Sequence, residues 1–351
     1  MGINPTLWSG KRVLVTGHTG FKGSWLTLLL KDLGAEVIGI SLPPDGQQSL
    51  YVDANISAEV STEFFQDIRD EVATRNAVTA TSADYVFHLA AQAFVRRSVR
   101  NPLESFTTNV CGTANVLMSS LTSKNLLGAT IVTTDKVYEN LGTKRPFKES
   151  DKLGGQDPYS ASKAAAELVV SAITKSNNPH RIPVTTVRAG NVIGGGDWGE
   201  ERLVPDLIRT LNSNSSLFLR NPNATRPWQH VLDCLYGYLL VGESHLVNKQ
   251  KTPKALNFGP RDSLSVMEVV HLFEIAFQKK VTQELLKSSI PESEWLELDS
   301  ELAHSYLGWQ ASISQIDAVR QTARWYSDFA SGQDARELMA EELRRFKIGK
   351  W

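Results

Sequence analysis

The sequence predicts an α/β fold, a doubly wound parallel sheet followed by a smaller, mainly helical C-terminal domain. Two observations carry this prediction. Between residues 11 and 188, short runs of β-branched and apolar residues alternate with helical patterns, which is typical of a parallel sheet with helical crossovers. After Arg188 the pattern changes to loops and separate helices, so a second structural unit is expected to begin there.

The first predicted strand, residues 11–16, leads into a glycine-rich turn and then into a helix over residues 24–33. The turn spaces its glycines as G-x-x-G-x-x-G, at Gly17, Gly20 and Gly23. Such a turn lets the backbone approach a pyrophosphate at a helix N-terminus, where free N–H groups favour negative charge. A tight turn that binds nothing is the alternative, but the strand–turn–helix order favours a dinucleotide site.

The second predicted strand, residues 36–41, lacks the acidic residue that usually ends it and holds the adenosine ribose. Ser41 and Leu42 stand at that position instead. The residues alone therefore leave NAD and NADP open, and Lys22 in the glycine turn could serve a 2′-phosphate.

Small and polar residues follow two of the later strands. Ala90, Ala91 and Gln92 come after one strand, and Asp135 and Lys136 come after the next. Because open α/β sheets bind ligands at the carboxyl ends of their strands, we expect the first group along a dinucleotide and the second beside reacting atoms. The later strands of the sheet are predicted at residues 64–69, 85–89, 130–134 and 184–188.

Tyr159 and Lys163 lie four residues apart at the start of a predicted helix. Residues at i and i+4 share one helix face, so a phenol and an ammonium would point into the same space. A cation held close favours the phenolate and lowers the tyrosine pKa, so the pair could take a proton from a hydroxyl. The spacing alone is weak, because Tyr-x-x-x-Lys also occurs on solvated helix faces.

Composition excludes several classes of function. The chain of 351 residues carries 37 Lys and Arg against 38 Asp and Glu, so no basic surplus suggests nucleic acid or an anionic membrane. Cys111 and Cys234 have no nearby His/Cys ligand cluster, which argues against a disulfide framework and against a metal site. The N-terminus shows no signal-peptide pattern and the apolar runs are short, so a cytoplasmic location is expected.

Two domains follow from these patterns. A dinucleotide-binding, Rossmann-type domain is predicted over residues 1–188, rejoined by residues 231–259 with a further strand at 255–258. Residues 189–230 and 260–351 are predicted to form the helical cap that closes over the carboxyl edge of the sheet and makes the substrate cleft.

Several strings resemble the extended short-chain dehydrogenase/reductase family and, more narrowly, its CDP-glucose 4,6-dehydratases. The resemblance runs from residue 11 to about residue 330. Asp135–Lys136, RAGNVIGGGDW and RPWQHV point to the CDP-sugar branch. The strings are GHTGFKGSW (17–25), HLAAQ (88–92), TDKVYEN (134–140), GGQDPYSASK (154–163), VRAGNVIGGGDW (187–198), RPWQHVLD (226–233) and NFGPRD (257–262).

The resemblance implies an internal redox cycle with bound NAD. Tyr159, supported by Lys163, would take the proton of the sugar's 4-hydroxyl, which Thr134 hydrogen-bonds, while C4 gives up a hydride. Asp135 would protonate the departing 6-hydroxyl, and the stored hydride would return to C6, giving CDP-4-keto-6-deoxyglucose. Related dTDP-glucose dehydratases carry Glu as the C5 base where this chain has Lys136. Lys136 either acts as that base, with a lowered pKa, or pairs with a phosphate or with Asp135.

The resemblance also implies binding residues. Trp228 and Trp198 could wall off the cytosine, although core packing is equally expected for each. The implied cofactor residues are Gly17, Thr19, Gly20, Phe21, Lys22, Gly23, Asp67, Ile68, Leu89, Ala90, Ala91, Gln92, Asn109, Tyr159 and Lys163. The implied substrate residues are Thr134, Asn191, Arg202, Leu203, Arg226 and Trp228.

Two other functions stay open on the sequence. An epimerase or reductase of another sugar nucleotide would share the glycine turn and the Tyr/Lys pair, but it needs no acid at Asp135. A non-catalytic dinucleotide-binding module would need none of Thr134, Tyr159 and Lys163. By resemblance, helices over residues 102–121 and 159–173 pair between subunits, so a homodimer or homotetramer is expected.

Overall fold

The computed structural model describes residues 2–44, 48–142, 144–213, 215–248, 252–286 and 295–347. Its strands are β1 (Arg12–Thr16), β2 (Glu36–Ser41), β3 (Thr62–Phe65), β4 (Tyr85–His88), β5 (Gly128–Val132), β6 (Val184–Ala189), β7 (Asn191–Ile193), β8 (Leu217–Leu219), β9 (Thr225–Arg226), β10 (Trp228–His230), β11 (Ala255–Phe258), β12 (Leu264–Ser265) and β13 (Gln283–Leu285).

Helices flank these strands along the whole chain. They are α1 (Pro5–Trp8), α2 (Phe21–Asp32), α3 (Leu50–Asp53), α4 (Glu71–Thr81), α5 (Val95–Arg100), α6 (Pro102–Phe106), α7 (Thr113–Leu121), α8 (Pro158–Ser176), α9 (Leu203–Asn212), α10 (Val231–Val247), α11 (Val266–Phe277), α12 (Glu301–Leu307), α13 (Gln315–Ala330) and α14 (Ala335–Lys347).

Seven strands form one parallel sheet in the order β11-β6-β5-β4-β1-β2-β3. The chain leaves β1 in one direction to β2 and β3 and then returns to β4 on the other side of β1. The crevice at the carboxyl ends of β1 and β4 is therefore the switch point where such sheets bind ligands. The predicted doubly wound sheet is confirmed, and β11 adds the predicted strand at residues 255–258.

Apolar side chains of the sheet alternate between two cores. Val13 and Val15 of β1 pack in the larger core, which includes residues of α2 and α10, while Leu14 packs in a smaller core with residues of α4, α7 and α8. Successive side chains of a strand point to opposite faces, so both faces must be covered. This is why the parallel strands read as nearly continuous apolar runs.

The C-terminal part combines helices with three two-stranded pairs, β7 with β10, β8 with β13, and β9 with β12. Helix α14 was not expected from the sequence. Within the described residues, no helix combines the length and the apolar character needed to span a membrane.

Two predicted elements differ from the structure. The third strand ends at Phe65, and Asp67 turns the chain by accepting from the Arg69 backbone N–H at 2.9 Å. The helical pattern over residues 102–121 is interrupted by a π-helical segment, Thr107–Gly112, between α6 and α7. Such π segments are typical of functional sites, and this one contains Asn109.

Candidate active site

The glycine turn is closed so tightly that side chains are excluded from it. Gly17 has a φ of +77°, and a Cβ there would lie 2.7 Å from the backbone nitrogen of Ala90. A Cβ on Gly23 would lie 2.1 Å from the carbonyl oxygen of Gly17. Gly20 caps α2 without any side-chain hydrogen bond, which leaves the N–H donors of the first helical turn available to an anion. The turn therefore fits a dinucleotide pyrophosphate.

Thr19 joins this turn to the end of β2. Its hydroxyl lies 2.7 Å from the Ser41 hydroxyl and donates to the Leu42 carbonyl at 3.1 Å. A pair of hydroxyl groups thus occupies the end of β2, where a dinucleotide-binding strand usually carries an acidic residue. Further along the same edge, Asp67 holds the Arg69 guanidinium, whose hydrogen bonds are the main reason that the Asp67 pKa is lowered. Ile68 is buried.

The surroundings of Lys22 bear on its possible role in holding a 2′-phosphate. Its Nζ donates to the Tyr238 hydroxyl at 3.5 Å, and it also lies 5.8 Å from the centre of the Tyr238 ring. Its charge acts on both Lys163 and Asp135. The ammonium therefore lies near the reacting residues, which favours a role there over one in holding a 2′-phosphate.

Asn109 joins the segment that follows β4 to α8, the helix of the Tyr/Lys pair. Its Oδ1 accepts from the Gln92 backbone N–H at 2.8 Å, and its Nδ2 donates to the Gln92 carbonyl at 3.0 Å and to the Ser162 hydroxyl at 2.9 Å. Leu89 and Ala90 bond back to Thr16 at 3.0 and 3.2 Å. These bonds fix the backbone of Ala90, Ala91 and Gln92 beside the glycine turn.

Tyr159 and Lys163 both lie buried on α8, which Asp157 caps. Burial raises the pKa of Tyr159 to about 12, against the hydrogen bond to Thr134 and the charge of Arg202, which lower it. Lys163 donates to the Val132 carbonyl at 3.1 Å, and burial followed by the charge of Lys22 lowers its pKa to about 8. The sequence predicts a lowered tyrosine pKa, but in the structure this pKa is raised, because desolvation outweighs the neighbouring charges.

Asp135 is a buried carboxyl group directly after Thr134. The Thr134 hydroxyl donates to its Oδ1 at 2.9 Å, whereas Oδ2 has no hydrogen-bond partner within the described residues. Burial raises the Asp135 pKa, while Lys136, the Thr134 hydrogen bond and Arg226 oppose that shift. A raised pKa shifts this carboxyl group toward the protonated form that a general acid needs to give a proton to a departing oxygen.

A buried ion pair lies behind the reacting residues. Glu167, one turn after Lys163 on α8, accepts from Arg188 Nε of β6 at 2.7 Å and makes a second, shorter contact with its Nη2. The same carboxylate accepts from the Thr133 hydroxyl at 2.7 Å. Arg188 also donates to the Tyr138 hydroxyl at 2.7 Å, which in turn donates to Asn257 Oδ1 at 2.6 Å. This network fixes α8 against the ends of β5, β6 and β11.

Two of the residues expected at the substrate's nucleotide, Arg202 and Arg226, lie near the reacting residues. Arg202 caps α9 just before Leu203; its Nη1 contacts both Asp197 oxygens at 3.0 and 2.9 Å, and its guanidinium lies 5.1 Å from the Phe94 ring. The charge of Arg226 reaches Asp135. Asn191 starts β7 and is partly exposed.

The two tryptophans differ in their surroundings. Trp228 is 5% exposed and donates from Nε1 to the Leu264 carbonyl at 3.0 Å, so its ring belongs to the core. Trp198 is partly exposed, and its Nε1 donates to Asp53 at 3.0 Å. Of the two open readings for Trp228, core packing fits the structure.

Three residues of this site were not selected from the sequence. Glu167 and Arg188 form the buried pair, and Gln229 lies buried in β10. Two signals could have found them in the sequence. Glu167 lies on the same face of α8 as Lys163, and Gln229 stands in the middle of a short strand.

Known proteins resemble this chain over most of its length. The profile of the GDP-mannose 4,6-dehydratase family matches residues 14–322. A CDP-glucose 4,6-dehydratase of Salmonella typhimurium is 38% identical over 95% of both chains. A UDP-glucose 4-epimerase of Erwinia amylovora is 26% identical over 91% of this chain and 99% of its own.

A solved structure with the same fold is a dTDP-glucose 4,6-dehydratase of Streptomyces venezuelae with NAD and TYD bound. Its TM-score is 0.79 at 24% identity, and the match covers 91% of this chain and 98% of that one. The fold and the family resemblance predicted from the motifs are thereby confirmed. The chain belongs to the GDP-mannose 4,6-dehydratase family, and its dehydratase relatives are hydro-lyases of nucleotide sugars.

Proposed function

We propose that this protein is an NAD-dependent lyase that converts CDP-glucose to CDP-4-keto-6-deoxyglucose. The observation that carries the proposal is Asp135, a buried carboxyl group with a raised pKa beside Thr134 and Tyr159. A dehydration needs such an acid, and a simple oxidation or epimerisation does not. The 38% identity to the Salmonella enzyme, over 95% of both chains, supports CDP-glucose as the substrate.

NAD fits the residues of the crevice. The closed glycine turn with its uncapped helix start would hold the pyrophosphate, and Thr19, Asp67 and Ile68 lie on the side proposed for the adenosine. The contact of Lys22 with Tyr238, near the reacting residues, supports NAD over NADP. When bound, NAD supplies a place for the hydride of C4, and the same hydride returns to C6.

Tyr159 is proposed to take the proton of the 4-hydroxyl. The chain by itself holds the tyrosine as a neutral phenol, since its pKa is raised to about 12. Formation of the phenolate therefore requires positive charge near the ring, and Lys163, with a pKa of about 8, is largely protonated at neutral pH and supplies part of that charge. Thr134, whose hydroxyl lies beside the Tyr159 phenol, would direct the 4-hydroxyl to the phenolate.

Elimination of water is assigned to Asp135 and Lys136. Once C4 is a ketone, the proton on C5 becomes acidic; a base removes it, and the 6-hydroxyl leaves with the proton of Asp135. Lys136 follows Asp135 directly and is partly exposed, so its amine is the proposed C5 base. Solvent exchange at C5 in a Lys136→Met variant tests this role: retained exchange would mean that another group removes the proton.

Recognition of the nucleotide is proposed for Arg202, Arg226, Asn191 and Leu203. Guanidinium groups suit a pyrophosphate because their planar donors match two of its oxygens. Arg202 is oriented by Asp197 and its charge acts on Tyr159, while the charge of Arg226 acts on Asp135, so both would bind the diphosphate close to the reacting sugar.

A second copy of the chain is the proposed partner. Exposed apolar side chains occur on α6, α7 and α8, where Leu103 is 78%, Met118 49% and Leu168 61% exposed. An interface formed by these helices would cover them. Sedimentation equilibrium checks the proposal, and a monomer mass at all concentrations would refute it.

The decisive experiment is mass spectrometry of CDP-glucose incubated with the purified protein, with and without added NAD. Loss of one water with no net reduction of NAD is the expected result. An unchanged mass with an isomerised sugar would instead establish an epimerase, the activity named for the Erwinia relative. Unchanged CDP-glucose, together with inert dTDP- and GDP-sugars, would refute the assignment of Asp135.

A further inference from the structure

The short parallel pair of β7 and β10 presents one face to the active site. Gln229 lies opposite Val192 in this pair. Residues two apart on a strand share a face, so Gly190 and Gly194 lie on the Val192 side, and Pro227 and Val231 on the Gln229 side. Gln229 therefore lies between Pro227 and Val231 on this face.

The space around Gly190 and Gly194 shows which residues lie against this face. A Cβ on Gly190 would lie 3.1 Å from Asp135 Oδ2 and 3.5 Å from Pro227 Cγ. A Cβ on Gly194 would lie 2.7 Å from Val231 Cγ1 and 3.3 Å from Phe21 Cζ. One end of the face thus lies against the proposed acid, and the other end lies against Phe21, the first residue of α2 and part of the glycine turn. By its register opposite Val192, Gln229 lies between these two ends.

Gln229 is 2% exposed, yet neither its Nε2 nor its Oε1 has a hydrogen-bond partner within the described residues. Buried amide groups are nearly always paired, because an unpaired one costs about 1–3 kcal/mol. Gln315 shows the ordinary case: it is 5% exposed, and its amide bonds to Trp228 N and the Asp262 carbonyl. Asp135 Oδ2, which the same face approaches, is also without a hydrogen-bond partner among the described residues.

We propose that Gln229 contacts the ligand that binds between Asp135 and the glycine turn. Its amide both donates and accepts, so it suits a ligand group that does the same: a hydroxyl of the hexose or the carboxamide of the nicotinamide. The inference rests on the proposed function, since it takes both ligands from there. It adds a binding residue at a position where an apolar side chain would satisfy the core equally well.

Gln229→Met tests the proposal because it keeps the length of the side chain and removes both polar atoms. We expect the ligand-free variant to unfold at the same temperature as the unchanged chain or higher, since no protein partner is lost. We expect the dissociation constant of one ligand, measured by calorimetry, to rise about tenfold or more. A change for NAD alone assigns the carboxamide, and a change for CDP-glucose alone assigns the hexose.

Thr27→Val is the matched control. Thr27 is fully buried on α2, and its hydroxyl likewise has no partner among the described residues. This variant should leave both dissociation constants unchanged. If Gln229→Met lowers the unfolding temperature and leaves both dissociation constants unchanged, Gln229 is only structural and the proposal is overturned. Failure of the unchanged chain to bind or convert CDP-glucose would instead count against the proposed function, and NAD binding would still test Gln229.

Discussion

The buried pair of Glu167 and Arg188 allows a quantitative test of the framework behind the active site. Each side chain is 4% exposed, and the carboxylate also accepts from Thr133 and Thr186, at 2.7 and 3.2 Å. Glu167→Gln would leave the Arg188 charge buried without its counter-charge. Breaking one side of a buried pair costs about 3–5 kcal/mol, because the remaining charge keeps its desolvation penalty.

The same magnitude can be expressed as a shift in unfolding temperature. With an unfolding entropy of about 2.1 cal/mol/K per residue, a chain of 351 residues loses about 0.7 kcal/mol of stability per degree near its midpoint. A cost of about 3–5 kcal/mol then lowers the midpoint by about 4–7 °C. Thermal unfolding measures the shift of the midpoint, and chemical denaturation measures the change in the free energy of unfolding.

A double-mutant cycle separates the pair from its surroundings. Arg188→Met alone should also destabilise the protein, whereas the two substitutions together should cost less than their sum by several kcal/mol, since no charge stays unpaired. Asp206→Asn is the control, because the Arg209–Asp206 pair, at 2.6 Å, is partly exposed on both sides and should contribute less than about 1 kcal/mol. A coupling below about 1 kcal/mol in the buried pair would refute the reasoning.

Four further predictions concern residues of the active site. The turnover rate should fall as pH rises through about 8, where Lys163 loses its charge, and a pH–rate profile flat to pH 10 would contradict this. The lysine's lowered pKa also makes the unfolded chain the tighter proton binder between about pH 8 and its usual pKa, so stability relative to Lys163→Met should rise with pH there. Asp135→Asn should reduce water loss by about 10²–10⁴-fold with NAD affinity retained, as product mass and calorimetry would report, and equal rates would exclude the acid role. Gly23→Ala should abolish NAD binding in a titration, since its Cβ would lie 2.1 Å from the Gly17 carbonyl oxygen, and an unchanged affinity would remove the turn from the cofactor site.

The sequence determined the sheet and the order of its elements. Alternating apolar runs and helical patterns are local properties, and burial of both sheet faces forces the strands to be continuously apolar. The glycine turn could also be predicted from the sequence, because only glycine fits where a Cβ would collide with the backbone. The family strings around Asp135 and Tyr159 extended this to a class of enzyme, which the family match confirms.

Tertiary structure alone decided which groups meet and how they titrate. Lys22 is local to the glycine turn in sequence but contacts Tyr238, 216 residues later. The pKa of Tyr159 is raised because burial outweighs the nearby charges, and no sequence spacing reports burial. Gln229 lies between the positions that approach Asp135 and Phe21 only because β10 pairs with β7 in one register. Distances between residues far apart in the chain depend on packing, so the sequence supplied the chemistry of each group and the fold supplied its partners.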